Sequence, residues 1–371
     1  MENEIKFLDQ LFSGNGVSGP GFEVNLRLLR RAGRPFLLLP PDRREAVATL
    51  SLYAPQTARA QIVRAVLRWI IELGLGWPGE SVHFQTSLDS PFVRFLASLS
   101  AAGTEPPHFG ILAGNPATPG QRFLLLCFNA TRQPAAVVKI SLTARGHELI
   151  DHEQSLLRAV TGKFKGVPSV LETFESRDIK AFASPFYPGN SPETFYREQL
   201  PLLLNSWVDT QRVVKVSEMP SWLRLERCCS NNAAFQNLSR TVAHQEVHPC
   251  LEHGDFVPWN IRISAEGNWT VVDWERGELT GIPGWDWFHY TIQTAILVKR
   301  RPIASIARQV EALFAQDSFK TYASRCGIAG FTRELLLLYL INMVEVIRPS
   351  EGCRQTNELF STLRKQWGLG D

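Results

Sequence analysis

His253-Gly254-Asp255-Phe256-Val257-Pro258-Trp259-Asn260 runs directly into Ile261-Arg262-Ile263-Ser264, then Ala265-Glu266-Gly267-Asn268, then Trp269-Thr270-Val271-Val272-Asp273-Trp274-Glu275. Two apolar-rich runs flank a Glu266-Gly267 turn signal, which predicts a β-hairpin over about residues 260–274. A turn centred on Glu266-Gly267 sets position 260 opposite position 273. Directly opposed residues have Cβ atoms roughly 4.5–5.5 Å apart. Asn260 and Asp273 then offer an amide oxygen and a carboxylate to one point, and these are hard oxygen ligands suited to magnesium. Asp255 lies on the loop that leads into the same hairpin.

Phosphoryl transfer needs such a set. Nucleotide phosphates need a divalent ion held by few protein ligands, and the acceptor hydroxyl needs a carboxylate to orient it and take its proton. Asp255 fits the second role, and Asn260 with Asp273 fits the first. A lone His-Gly-Asp is common in loops; the spacing to Asn260 and Asp273 gives Asp255 its weight. His253 reads as a structural residue that holds the loop by hydrogen bonds. Glu275 is left open between an exposed residue and one that touches substrate.

H-G-D-x-x-x-x-N, followed by an apolar strand ending in V-V-D-W-E, resembles the Brenner motif of aminoglycoside phosphotransferases, choline kinases and related protein-kinase-like enzymes. Gly281-Ile282-Pro283-Gly284-Trp285-Asp286 resembles the G-x-P-x-x-D element of that family, which implies that Asp286 braces the catalytic loop. The variant H-G-D-F-x-P-W-N is similar to phosphotransferase-like proteins of bacterial polysaccharide clusters. Upstream, Ala135-Ala136-Val137-Val138-Lys139-Ile140 resembles the strand that bears the phosphate-binding lysine, and Glu153, on the next predicted helix, is placed like its partner. Glu148 is its rival. The apolar flanks of Lys139 argue for an inward-facing charge, which requires a partner. The resemblance implies that residues 111–120 form the loop over the nucleotide and that Ala183–Phe186 form an adenine-contacting hinge. It covers about residues 106–300.

The rest of the chain sets the frame. At 371 residues it is too long for one ordinary core and implies two or three lobes. A net charge of +3 is too mild for a nucleic-acid binder and suits a protein that handles an anionic ligand. None of the six cysteines forms a C-x-x-C pair, so a zinc site is not expected and free thiols in a reducing cytosol are. The N-terminus lacks a basic and then apolar leader, and no apolar stretch reaches the ~20 residues that span a bilayer, so a cytoplasmic protein with no integral membrane segment is expected.

Residues 1–21 read as a flexible leader and residues 22–105 as an accessory α/β region. That region has strand-like or buried runs at Pro35–Leu39 and Ala46–Leu52, and an amphipathic helix over Thr57–Leu73. Residues 106–186 read as a β-rich lobe with a meander, a helix over Glu148–Val160 and a hinge. Residues 187–371 read as a helical lobe, with helices over Glu193–Trp207, Trp222–Ala243, Asp286–Val298, Pro302–Ala315 and Thr332–Ile347. Trp259, Trp269, Trp274, Trp285 and Trp287 read as packing around the hairpin, and Lys299-Arg300-Arg301 as a solvated helix end.

The expected fold is α+β: a bilobal protein-kinase-like architecture with an antiparallel β-rich first lobe, a mainly helical second lobe and an extra N-terminal α/β region. The expected activity is transfer of the γ-phosphate of ATP, or of GTP, with Mg2+, to a hydroxyl of a sugar, glycan precursor or other small molecule. Lys139 and Glu153 would serve the nucleotide. The alternatives are a nucleotide-binding pseudokinase in a biosynthetic complex and an antibiotic kinase. The absence of D-F-G and A-P-E elements argues against a protein kinase.

Overall fold

The computed structural model describes residues 6–12, 21–55, 57–76, 79–100, 106–114, 120–192, 198–347 and 354–369. The chain divides into two compact units, Met1–Thr161 with Pro168–Pro188, and Gly162–Val167 with Gly189–Asp371. The first is built on an antiparallel sheet and the second is mainly helical, so the fold is α+β.

The sheet of the first unit has eight strands: β1 (Gly21–Arg31), β2 (Arg34–Leu39), β3 (Glu80–Ser87), β4 (His108–Leu112), β5 (Arg122–Phe128), β6 (Pro134–Ser141), β7 (Glu172–Glu175) and β8 (Lys180–Pro185). Their spatial order is β3-β1-β2-β4-β5-β6-β8-β7. The expected meander is β4-β5-β6, with Leu124 opposite Lys139. The boundary expected at 105/106 does not interrupt this sheet. β2 of the accessory region pairs with β4 through Leu37–Leu112 and Leu38–Ile111, so both regions share one ladder.

The helices of this unit are α1 (Lys6–Phe12), α2 (Arg43–Thr49), α3 (Ala58–Leu73), α4 (Pro91–Ser100) and α5 (Ala144–Val160). Residues 6–12, expected within a flexible leader, form a helix because Leu8, Leu11 and Phe12 share one face and are buried in the sheet's core. Phe12 stacks on Phe109 of β4 at 5.1 Å, and its carbonyl accepts a hydrogen bond from Thr86 of β3. The run Ala46–Leu52 is helical rather than a strand. Asp42 caps it, accepting from the Arg44 and Glu45 amides, and such a cap favours helix over the extended form.

The second unit holds α6 (Gln199–Ser206), α7 (Pro220–Cys229), α8 (Ala233–Val242), α9 (Trp285–Gln293), α10 (Ile303–Ala315), α11 (Asp317–Cys326), α12 (Thr332–Asn342) and α13 (Arg354–Gln366). The single helix expected over Trp222–Ala243 is two. Asn232 accepts from the Phe235 amide and starts α8 afresh. Of the helix expected over Glu193–Trp207, residues 193–197 lie outside the described residues, as do residues 115–119 of the expected nucleotide loop and Cys353. Short strands β9 (Val214–Lys215), β10 (Glu246–Val247), β11 (Cys250–Glu252), β12 (Ile261–Ile263), β13 (Trp269–Val271) and β14 (Glu278–Gly281) pair as β9-β10, β11-β14 and β12-β13.

Every residue of α9 is buried, as is all of α12 from Leu335 to Asn342. Helices enclosed on all sides form the centre of a unit, and the polar side chains they carry inward are held in fixed positions. Among the described residues no helix is long and apolar enough to cross a membrane. The five described cysteines are free thiols.

Candidate active site

The hairpin of β12 and β13 forms, but in a different register. Ile261 faces Val271, Arg262 faces Thr270 and Ile263 faces Trp269. Continued by one residue, this sets Asn260 opposite Val272, whose amide donates to the Asn260 carbonyl at 2.7 Å. Asp273 is therefore one place beyond the position expected for it. The cause is the turn. The Ser264 amide donates to Asn268 and the Gly267 amide to Ser264, closing a loop of three residues with Gly267 at φ +83°. Such loops use a left-handed residue at their end, normally glycine. Asp273 leaves the ladder at φ +72°. A non-glycine residue with positive φ is uncommon, and aspartate is among the types that tolerate it.

The loop before the hairpin is fixed from three sides. Asp286, in the first turn of α9, accepts from the His253 amide at 2.7 Å and from the Gly254 amide at 3.0 Å. Gly254 has φ +75°, and a Cβ there would lie 2.6 Å from the Arg276 carbonyl oxygen, so this loop position admits only glycine without movement. The His253 ring is fully buried. Its Nε2 donates to the Val272 carbonyl at 3.0 Å, and its Nδ1 accepts from the Asp255 amide at 3.2 Å. One nitrogen donates and the other accepts, so the ring is neutral. Burial lowers its pKa, which agrees with that state. His253 thus ties the loop to the strand end that carries Asp273.

Asp255 and Asn260 come together. The Asn260 Nδ2 donates to the Asp255 carbonyl at 2.9 Å and to its carboxylate Oδ2 at 3.3 Å. The other oxygen, Oδ1, accepts from His289 Nε2 at 3.1 Å, and the Tyr339 hydroxyl lies 3.2 Å from the Nδ1 of that ring. Burial alone would raise the pKa of Asp255. The His289 hydrogen bond and charge, with help from Arg276, outweigh burial and hold it well below the usual carboxylate range. The carboxylate is ionised and its orientation is set by donors on both oxygens.

His289 and Tyr339 were not legible as site residues. Their helices α9 and α12 meet only in the fold, although His289 does lie three residues after Asp286. Glu252 was also missed. It is buried, and its Oε2 accepts from the Ile282 amide at 3.0 Å and from the Ser221 hydroxyl at 3.3 Å. Burial and the nearby Asp286 push its pKa up to about 8. Burial pushes Asp286 up less, to about 6, because two backbone amides favour its charged form. Glu252 thus carries the proton of this pair near neutrality.

In the first unit, Lys139 on β6 and Glu153 on α5 pair at 2.5 Å, with side-chain exposures of 11% and 3%. Glu148, the rival, is exposed and pairs with Arg145. In the expected adenine hinge, the Ala183 carbonyl accepts from the Leu171 amide and the Phe186 amide donates to Ala135, so these two groups are engaged within the sheet. Of the five tryptophans, Trp274, Trp285 and Trp287 are buried, and the Trp274 indole donates to the Val271 carbonyl inside the hairpin. Trp259 and Trp269 are partly exposed.

Asp273 and Asn260 carry oxygen donors of the hard kind that magnesium takes. Among the described residues no three His, Cys, Asp or Glu side chains gather into a metal-binding group. Magnesium is usually held by one or two carboxylates, with waters and substrate phosphates completing its shell. Asp273 and Asn260, on either side of the His253–Val272 contact, are the residues that would offer oxygens to such a shell.

No protein-family model matches the chain, and no curated protein matches it. Solved structures similar to it include a thermostable mutant of aminoglycoside phosphotransferase APH(4)-Ia in its apo form. That structure is 14% identical over 75% of this chain and 100% of that one, with a TM-score of 0.48. The same enzyme in ternary complex with AMP-PNP and hygromycin B is 13% identical over 75% and 99%, with a TM-score of 0.48. Macrolide 2'-phosphotransferase MphH from Brachybacterium faecium is 14% identical over 68% of this chain and 91% of that one, with a TM-score of 0.40.

Proposed function

We propose that this chain is an ATP-dependent small-molecule kinase that moves the γ-phosphate to a hydroxyl of a sugar or glycan precursor. The observation that carries the reading is the Asp255 carboxylate, ionised and partly exposed between Asn260 and His289, on a loop whose backbone Asp286 pins. A carboxylate held this far below its ordinary range is a weak base. It takes the proton of the acceptor hydroxyl only late, as the phosphoryl group leaves the nucleotide. Its main contribution is to orient the hydroxyl, as suits a loose transition state. Asp273 and Asn260 would hold Mg2+, which supplies charge neutralisation at the phosphate oxygens. The Lys139 ammonium, kept in place by Glu153, would bind the nucleotide phosphates.

The test is transfer of label from γ-labelled ATP and GTP, with and without magnesium, into a panel of sugars, glycan precursors, aminoglycosides and choline-like alcohols. Asp255→Asn runs beside the wild type. The reading predicts a labelled product with the wild type, and a loss of roughly 1,000-fold or more in the variant while nucleotide binding persists. Equal turnover by the variant contradicts it. Nucleotide binding with no product across the panel would favour a nucleotide-binding regulator.

A further inference from the structure

Helix α9 grips the loop before the hairpin at two levels. Asp286, in its first turn, holds the His253 and Gly254 amides. His289 stands three residues on, where helical spacing makes it a surface neighbour of Asp286. It reaches the Asp255 carboxylate itself, Nε2 to Oδ1 at 3.1 Å. Every residue of α9 is buried, so both side chains project from a fixed element. The His289 side chain is 3% exposed, against 23% for Asp255, which sets the ring on the protein side of the carboxylate.

The second ring nitrogen is engaged as well. The Tyr339 hydroxyl lies 3.2 Å from Nδ1. The Tyr339 ring is itself packed edge-on against Trp285, Phe288 and His289, with centroids 6.2, 6.1 and 6.0 Å away. The direction of the inner bond follows from charge. An ionised carboxylate only accepts, so Nε2 carries the hydrogen. A phenol can donate or accept, so the Tyr339 bond survives in either charge state of the ring, and Nε2–H stays aimed at Asp255 in both. An aliphatic side chain would fill this place without the cost of desolvating an imidazole and a phenol. The polar pair is instead spent on one oxygen of one carboxylate.

Resting on the kinase reading above, we propose that His289 and Tyr339 are positioning residues for the transfer. His289 occupies Oδ1 and thereby presents Oδ2 to the acceptor hydroxyl. Tyr339 holds the imidazole in the rotation that aims Nε2–H at Oδ1. Asn260 meets Oδ2 only at 3.3 Å and leaves it a free lone pair. In the step, the acceptor oxygen bonds to the γ-phosphorus as the bond from that phosphorus to the bridging oxygen breaks, and the nucleoside diphosphate leaves with the electron pair. The acceptor O–H bond breaks late and its proton goes to Oδ2. His289 gives up no proton at any point.

The test uses the full chain with magnesium, ATP and the acceptor that the wild type labels. His289→Leu removes the donor and should lower kcat by about 100-fold or more, the cost of a reacting group out of place, while KM for ATP stays within about 2-fold. His289→Gln, whose terminal amide carries an N–H at about the place of Nε2, should recover kcat to within about tenfold of wild type. Tyr339→Phe should lower kcat by about tenfold. If the leucine variant does not fold, the other two decide. A second reading needs no acceptor: with 15N-labelled histidine, the His289 ring signal, identified by its loss in His289→Gln, should move in Asp255→Asn and in Tyr339→Phe. Wild-type kcat in His289→Leu, a glutamine variant no better than the leucine one, or a ring signal indifferent to Asp255 overturns this inference and leaves the kinase reading standing. No labelled product from the wild type overturns the kinase reading, and this inference with it.

Discussion

Residues that act on the loop were readable where one local segment carried them, and hidden where the fold carried them. Asp255, Asn260, Asp273 and Asp286 fall within a single stretch of motif. His289 meets Asp255, and Tyr339 meets His289, only because the fold brings α9 and α12 together, and Glu252 gives no signal beyond an acid beside His253. Glu252 nevertheless carries a prediction. Its carboxyl pKa rises from the ordinary 4.5 to about 8, through burial first and then the neighbouring Asp286. Between those values the folded chain holds a proton that the unfolded chain has released. Its contribution to stability is therefore full below about pH 4.5 and is lost as pH rises towards about 8. Melting curves should show the second unit losing stability across that window. Glu252→Gln, which keeps the shape without the ionisation, should flatten the slope. An unchanged slope in the variant would assign the proton elsewhere.

At the scale of elements, the hairpin shows how a correct element can carry a wrong register. The alternation of apolar residues identified both strands, but a two-residue and a three-residue loop differ by one position, and that step moves Asp273 off the ladder position opposite Asn260. The same limit split the helix expected over Trp222–Ala243, where the Asn232 cap outweighs a continuous apolar period. Two glycines test how tightly the loop and hairpin are specified. Both have positive φ, but a Cβ at Gly267 meets nothing within 4 Å, whereas one at Gly254 meets the Arg276 carbonyl oxygen. Gly267→Ala should cost only the left-handed backbone term, roughly 1–2 kcal/mol in denaturant unfolding. Gly254→Ala should cost more than that, because backbone must move, and it should also disturb the two amides that Asp286 holds. Equal costs would mean that the loop yields freely.

For the whole molecule, sequence organisation indicated a β-rich region followed by a helical one, and the structure has both. It did not reveal that the accessory region and the β-rich lobe share one sheet. Strand partners forty or more residues apart leave no local trace: Leu38 faces Ile111, and Phe12 stacks on Phe109. Burial of Leu8, Leu11 and Phe12 makes the α1 segment part of that core. A chain beginning at residue 106 should therefore fail to form a cooperative first unit. It would expose the β4 edge together with the apolar face that Phe12 covers, and exposed edges of this kind aggregate. Near-ultraviolet circular dichroism and dye binding would report it. A truncated chain that unfolds as sharply as the full one would contradict the shared core.

The central claim is a division of labour within one loop and hairpin, in which Asp273 serves the metal-bound nucleotide and Asp255 serves the acceptor. Calorimetric titration of ATP with and without magnesium, on wild type, Asp273→Asn and Asp255→Asn, tests it without knowing the acceptor. The account predicts magnesium-dependent binding that Asp273→Asn weakens by about 10-fold to 100-fold, while Asp255→Asn stays within about 2-fold of wild type. Equal losses in both variants, or binding indifferent to magnesium and to Asp273, would contradict it.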